Sequence, residues 1–152
     1  MSPLLAKKTI TIAIAGNPNC GKTTLFNQLT GLRQKVGNYP GITVERKTGT
    51  MTCAGNTIDL IDLPGTYSLN PRTEDARVAA RVLGGKSALA PPLDGVLCVV
   101  DGNTLERSLP LVLQIRALRL PMLLLINMAD ELQKLGTTID ERELEKQLGI
   151  PV

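Results

Sequence analysis

The chain has 152 residues, about one domain's worth, with 43% hydrophobic and 20% charged residues and a formal net charge of +3. Two Tyr, one Phe and no Trp leave an aliphatic core and argue against stacking platforms for single-stranded nucleic acid, and the absence of histidine excludes His-based catalysis and His metal sites. Cys20, Cys53 and Cys98 form no C-x-x-C pair, which argues against a disulfide framework or zinc site and fits a reducing cytoplasm.

In chain order, residues 1–8 are too short and too weakly apolar for a signal peptide. Residues 9–15 alternate Thr or Ala with Ile and then meet Gly16, a strand running into a glycine turn. Residues 22–30 read as a helix stopped by Gly31. Residues 34–41 hold two glycines, an asparagine and a proline, and read as a loop. Residues 44–53 and 57–62 are predicted as a strand pair turning at Ala54-Gly55-Asn56. Asn70-Pro71 is expected to open a helix that runs to Leu83 and ends at Gly84, with a flexible connector over 84–92.

Residues 95–100 are an apolar run closed by Asp101, as expected of a strand buried on both faces. Asn103 with Glu106 makes a capping box for a helix to Arg119, and 122–127 is another buried strand. The longest apolar stretch, 109–126, is interrupted by Arg116, Arg119 and Pro121, so it reads as helix then strand and not as a membrane span. Asp140 and Glu143 box the last helix, Ile139 and Leu144 staple it, and Gly149 then Pro151 stop it. There is no repeat. Charge pairs such as Lys7-Lys8 and Arg46-Lys47 are scattered, as solvated surface that can help attract a polyanionic ligand. Strands alternating with helices imply an α/β fold whose function sits at the strands' C-terminal ends.

Gly16-Asn17-Pro18-Asn19-Cys20-Gly21-Lys22-Thr23 matches G-x-x-x-x-G-K-[ST], followed by Thr24 and placed between strand and helix as that motif requires. Its glycines let the backbone curl so that N–H groups point at phosphate oxygens. Lys22 supplies a point charge between the β- and γ-phosphates, and the Thr23 hydroxyl binds Mg²⁺. Three weaker signals follow in order. Thr43, beside Gly41 and Ile42 in the loop before the second strand, can offer a hydroxyl to Mg²⁺ and an N–H to the γ-phosphate. Asp62-Leu63-Pro64-Gly65 closes a strand, so Asp62 can hold Mg²⁺ through water and the Gly65 N–H can sense the γ-phosphate. Taken alone, that D-x-x-G is a common turn. Asn127-Met128-Ala129-Asp130 follows a buried strand, where Asp130 can accept from the N1 and N2 donors of guanine. Their order makes GTP the expected ligand and an ATPase the outsider.

Together with this P-loop, Val36-Gly37-Asn38-Tyr39-Pro40-Gly41-Ile42-Thr43-Val44-Glu45 and Asp62-Leu63-Pro64-Gly65-Thr66-Tyr67-Ser68-Leu69 resemble the ferrous iron transporter B family. Thr24-Leu25-Phe26-Asn27 and Asn103-Thr104-Leu105-Glu106-Arg107 are also similar to it. Met128, where many G proteins carry lysine, resembles this family rather than the ribosome-assembly GTPases. The resemblance implies a Ras-like P-loop NTPase G domain, a mostly parallel sheet flanked by helices, over residues 1–152. It implies the soluble head, on the cytoplasmic face of the bacterial inner membrane, of a permease for Fe²⁺. Its partners would be guanine nucleotide, a helical domain and the membrane part, with a homo-oligomer left open and no nucleic acid. The first switch would span about 34–44 and the second about 65–75.

The family also implies K⁺ held by Asn19 beside the phosphates, supplying charge where other GTPases use an arginine finger; the alternative is a loop asparagine bonding its own backbone. Cys20 reads as a small packed loop residue rather than a redox switch, although helix N-termini do lower thiol pKa values. Thr66 stands where Ras-type enzymes place a water-orienting glutamine, so hydrolysis is expected to be slow. The catalytic candidates are Lys22, Asn19, Thr43 and Gly65. Val152 is expected to lie just inside the last strand, with a Ser-Ala-type fifth guanine motif, the helical domain and the membrane part beyond it. The expected activity is slow, Mg²⁺-dependent, K⁺-stimulated GTP hydrolysis that regulates or drives Fe²⁺ uptake. A nucleotide-controlled switch with incidental turnover and a ribosome-assembly-type GTPase are the alternatives. With no His and no clustered Cys, no soft-ligand iron site is expected.

Overall fold

The computed structural model describes residues 9–85 and 87–152; the readings made of 1–8, and of residue 86 within the 84–92 connector, lie outside the described residues. Six strands form one sheet in the order β2-β3-β4-β1-β5-β6. They are β1 (Thr9–Gly16), β2 (Gln34–Asn38), β3 (Glu45–Cys53), β4 (Asn56–Asp62), β5 (Gly95–Asp101) and β6 (Met122–Asn127). β4, β1, β5 and β6 run parallel, while β2 and β3 are antiparallel to their neighbours. The helices are α1 (Lys22–Thr30), α2 (Glu74–Gly84), α3 (Leu105–Ala117), α4 (Ala129–Lys134) and α5 (Glu141–Leu148).

The period-2 alternation of β1 divides the core. Ile14 faces one side, where Leu60, Val99 and Phe26 of α1 close over it. Ala13 and Ala15 face the other, against Ile61, Val78 and Val82 of α2 and Leu111, Val112 and Ile115 of α3. Small residues on that face bring the helices close to the sheet, and burial of the aliphatic rows supplies the main driving force.

The β3–β4 hairpin turns through Ala54 and Gly55, both at positive φ (49° and 79°), the primed geometry whose twist suits a two-residue loop. Residues 34–38 are a strand, not the expected loop: β2 pairs with β3 from Gln34↔Gly49 to Asn38↔Glu45. Gly49 permits it, because a Cβ there would lie 2.5 Å from Thr30 Cγ2 and 2.9 Å from the Arg33 carbonyl oxygen. The chain leaving α1 thus crosses β3 at the one position without a side chain.

Both ends of two helices also differ from expectation. α2 starts at Glu74, where Thr73 Oγ1 accepts from Ala76 N (3.1 Å), and not at Asn70-Pro71; Gly85, not Gly84, takes the left-handed position after it. The expected Asn103–Glu106 box is absent. Asp101 Oδ1 instead accepts from Asn103 N (2.8 Å) and caps a 3₁₀ turn over Gly102–Thr104, after which α3 begins and ends at Ala117. At α5, Asp140 Oδ1 does accept from Glu143 N (3.0 Å), but the Glu143 carboxylate accepts from Gln147, so only half the box forms. After Gly149 the chain returns to the sheet, and Leu124 N of β6 donates to Pro151 O (2.9 Å). Among the described residues no helix is long and apolar enough to cross a membrane.

Candidate functional site

The C-terminal ends of β1, β4, β5 and β6 lie along one rim of the sheet, and the turns leaving them build a cleft. The turn after β1 folds back sharply. A Cβ on Gly16 would sit 2.5 Å from Val99 O and 2.8 Å from Cys20 Sγ, so glycine is what lets this turn close against β5. Asn19 (φ 63°) and Gly21 (φ 88°) take left-handed conformations, and Gly21 opens α1 without any side-chain cap. The first N–H groups of α1 therefore have no side-chain acceptor, which is the arrangement that receives an anion at a helix N-terminus.

Asn127, at the end of β6, clamps the turn. Its Nδ2 donates to Cys20 O (3.0 Å), its Oδ1 accepts from Met128 N (2.9 Å), and Gly21 leaves the space the amide occupies. Asn17 is buried at 6% exposure; its Nδ2 donates to Ser108 Oγ (3.1 Å) of α3, while its Oδ1 has no partner. Cys20 is packed at 2% exposure, and burial pushes its thiol pKa up against the opposing pull of Lys22.

The charged centre is Lys22, 7% exposed, whose Nζ pairs with Asp62 Oδ1 of β4. Thr23 Oγ1 donates to Asp62 Oδ2 (3.3 Å). The segment after β4 is tied to the same place: Leu63 N donates to Ile14 O (3.0 Å) and Thr66 N to Gly16 O (3.1 Å). A Cβ on Gly65 would lie 2.9 Å from Pro18 Cα, so the two turns touch through a glycine. Leu63 is core and Pro64 half-buried, so both position Gly65 rather than face the cleft. Asn17, Pro18, Asn19, Gly21, Lys22, Thr23, Thr24, Gly65 and Met128 line a space of about 540 Å³.

Not every candidate is gathered there. Thr43 is exposed, in a 39–44 loop closed by Tyr39 N to Val44 O (3.0 Å) and Ile42 N to Tyr39 O (3.1 Å). It stands outside the cleft lining with Gly41 and Ile42. Asp130 lies in the first turn of α4, exposed, two residues beyond Met128. Sequence reading missed Ser108, whose role arises from a contact across 91 residues, and gave Tyr39 only as part of the family-like 36–45 segment, with no local signal for its burial. The donors beside Lys22, a hydroxyl from Thr23 and a carboxylate from Asp62, are the hard oxygens that suit Mg²⁺. Asn19, lining the cleft with a side-chain amide, suits a monovalent cation. No cluster of three or more His, Cys, Asp or Glu able to hold a metal occurs among the described residues.

A mostly parallel sheet with this strand order, a glycine turn feeding α1, and Lys22, Thr23 and Asp62 meeting below it define a P-loop NTPase of the G-domain class. The family model described as Ferrous iron transport protein B matches residues 10–152. The chain belongs to that family. The Fe(2+) transporter FeoB of Leptospira interrogans is 45% identical over 145 residues, covering 95% of this chain and 20% of that protein. The chain thus spans about a fifth of the length of such relatives. Among solved structures, the G domain of the T. maritima FeoB iron transporter superposes with a TM-score of 0.85 at 44% identity, covering 95% of this chain and 86% of that one. The cytosolic domain of the same transporter in GDP form I gives 0.88 at 45% identity, covering 97% of this chain and 56% of that one.

Proposed function

We propose that this chain is the guanine-nucleotide-binding head of a ferrous iron transporter and hydrolyses GTP slowly, with Mg²⁺ and with stimulation by K⁺. The observation that carries the reading is the convergence of Lys22, Thr23 and Asp62 beneath the uncapped N-terminus of α1. The GDP form of the related cytosolic domain supports it. On binding, Lys22 exchanges Asp62 for the β- and γ-phosphate oxygens, and the turn's N–H groups surround the same phosphates. Thr23 and Asp62 would hold Mg²⁺, and Asn19 would hold K⁺. These cations, when bound, neutralise charge on the phosphate oxygens as the γ-phosphoryl leaves.

Thr43 reaches the site by movement of the 39–44 loop, the Gly65 N–H meets the γ-phosphate, and Asp130 accepts from guanine. Thr66 takes no part in orienting water: its Oγ1 donates to Ser68 O (2.7 Å), which fits slow turnover. The head works at the cytoplasmic face of a bacterial inner membrane, where nucleotide state regulates or drives Fe²⁺ uptake through the helical and membrane parts. The second reading, a nucleotide-controlled switch with incidental turnover, is favoured by the same Thr66 bond and by the place of Thr43 outside the cleft lining.

The test is turnover with Mg²⁺ in KCl against NaCl. The enzyme reading expects GTP-selective turnover, several-fold higher in K⁺ and abolished in Lys22→Ala, with Asn19→Ala losing only the K⁺ effect. Nucleotide binding without turnover in either salt would favour the switch, and equal turnover of ATP would overturn the guanine assignment.

A further inference from the structure

A second cleft, about 410 Å³, runs from the β2 end of the sheet across β3 and β4 to Thr11 of β1. Gln34 fixes which face it occupies. Gln34 Nε2 donates to Asn27 Oδ1 and Thr30 Oγ1 of α1 (2.9 Å each), so alternation within β2 turns Lys35 to the opposite face, and Arg33, just before the strand, lines the same cleft. Lys35 lies across from Thr48 on β3, and Arg46, two residues before Thr48, shares that face. Arg33, Lys35 and Arg46 therefore line one concavity, with Asp59 its one acid. Among the described residues none of the three cations has a carboxylate within 4.0 Å. Arg46 Nε is buried without a hydrogen-bond partner, beside the Tyr39 ring (5.9 Å from guanidinium carbon to ring centroid). This is a concentration of positive charge with little inside the molecule to balance it.

The strand that carries it also has a free edge. β2 pairs with β3 alone and ends the sheet. A Cβ at Gly37 would meet nothing within 4 Å, and Leu32 and Val36 are 103% and 64% exposed. An open edge offers backbone donors and acceptors to another strand. A second copy of this chain is a poor occupant, because it would bring a second set of Arg33, Lys35 and Arg46 to the same edge. A flat anionic surface would engage the rim but not the recessed Arg46. The occupant that satisfies both features is an extended backbone bearing carboxylates.

We propose that β2 and the basic cleft beside it form a docking site for an acidic, extended segment of a partner protein, which adds as a strand to β2 and sets its carboxylates on Arg33, Lys35 and Arg46. The site needs no nucleotide contact, but β2 lies within 34–44, the expected first switch, so binding is measured on the nucleotide-free chain. The experiment is fluorescence anisotropy of a labelled short peptide of alternating Glu and Thr, titrated with this chain. Three companions are measured alongside: the peptide with Gln for Glu, the peptide N-methylated at alternate amides, and phosphatidylglycerol vesicles. We expect saturable binding of the Glu peptide, weakened about tenfold or more by the Gln exchange, by N-methylation and by Arg33→Glu. Amide shifts in NMR should centre on Lys35 and Gly37. Arg46→Gln is a further variant, read only where its melting temperature matches the parent; the peptide-side controls need no variant. Absence of binding, binding indifferent to N-methylation or to Arg33→Glu, or capture by vesicles without capture by the peptide would each overturn the proposal.

Discussion

Tyr39 is 1% exposed, yet its hydroxyl has no hydrogen-bond partner, and burial raises its pKa. An unsatisfied buried donor costs about 1–3 kcal/mol, so the ring is held by packing in spite of its hydroxyl. Tyr39→Phe should raise stability by about 1 kcal/mol, read as a higher urea midpoint at unchanged slope. The same residue closes the 39–44 loop, which must move if Thr43 is to reach a nucleotide. Favouring the docked ring should then weaken a non-hydrolysable GTP analogue about fivefold relative to GDP, since a ligand shifts a conformational equilibrium only by its differential affinity. Equal loss for both nucleotides would separate Tyr39 from the switch.

Cys98, fully buried, supplies a pH prediction. Burial pushes its thiol from 9.0 up to about 12. The folded chain thus holds this proton more tightly, so the contribution is complete below about pH 9 and is lost as pH rises towards 12. Stability should fall there by up to roughly 1.4 kcal/mol per pH unit from this group, and Cys98→Ala should flatten the slope between pH 9 and 11.

At the level of elements, single side chains fix where helices begin. Thr73 caps α2 through Ala76 N, so Thr73→Ala should cost about 1 kcal/mol and lower the melting temperature, while Thr73→Ser should restore most of it. Where the sequence carried a geometric necessity, it was readable. The P-loop's glycine spacing, the β1 and β5 runs, the Asp140 cap and Gly149 each describe one backbone requirement that few residues meet. Where an element depends on a distant neighbour, local pattern misled. β2 is polar, glycine-bearing and exposed on most positions, and exists because β3 extends an edge to it and Gly49 clears its path. Asn103 and Glu106 have the right spacing for a box, but Asp101, ending a buried strand, reaches the Asn103 N–H first, and Asn103 Nδ2 turns to Glu131 instead (3.0 Å). The six-residue α4 was invisible because its two turns bury only Leu132.

Across the whole molecule, the parallel order β4-β1-β5-β6 matters because it brings Asp62, the P-loop and Asn127 from three strand ends to one rim. The cost is a buried lysine–aspartate pair in which neither charge has a second ion-pair partner among the described residues, and such pairs contribute little net stability. A ligand that binds only the folded state should therefore stabilise the entire sheet through that rim. At a hundredfold excess over its dissociation constant, Mg²⁺–GDP should add about 2.7 kcal/mol, a rise of about 5–11 °C in melting temperature for a domain this size. ADP should leave it unchanged. Asp130→Ala should abolish most of the GDP shift while preserving the melting temperature without ligand, because Asp130 is exposed and its carboxylate forms no ion pair among the described residues. A GDP shift that survives Asp130→Ala would move guanine recognition to other residues, and an equal shift with ADP would remove guanine selectivity from this rim altogether.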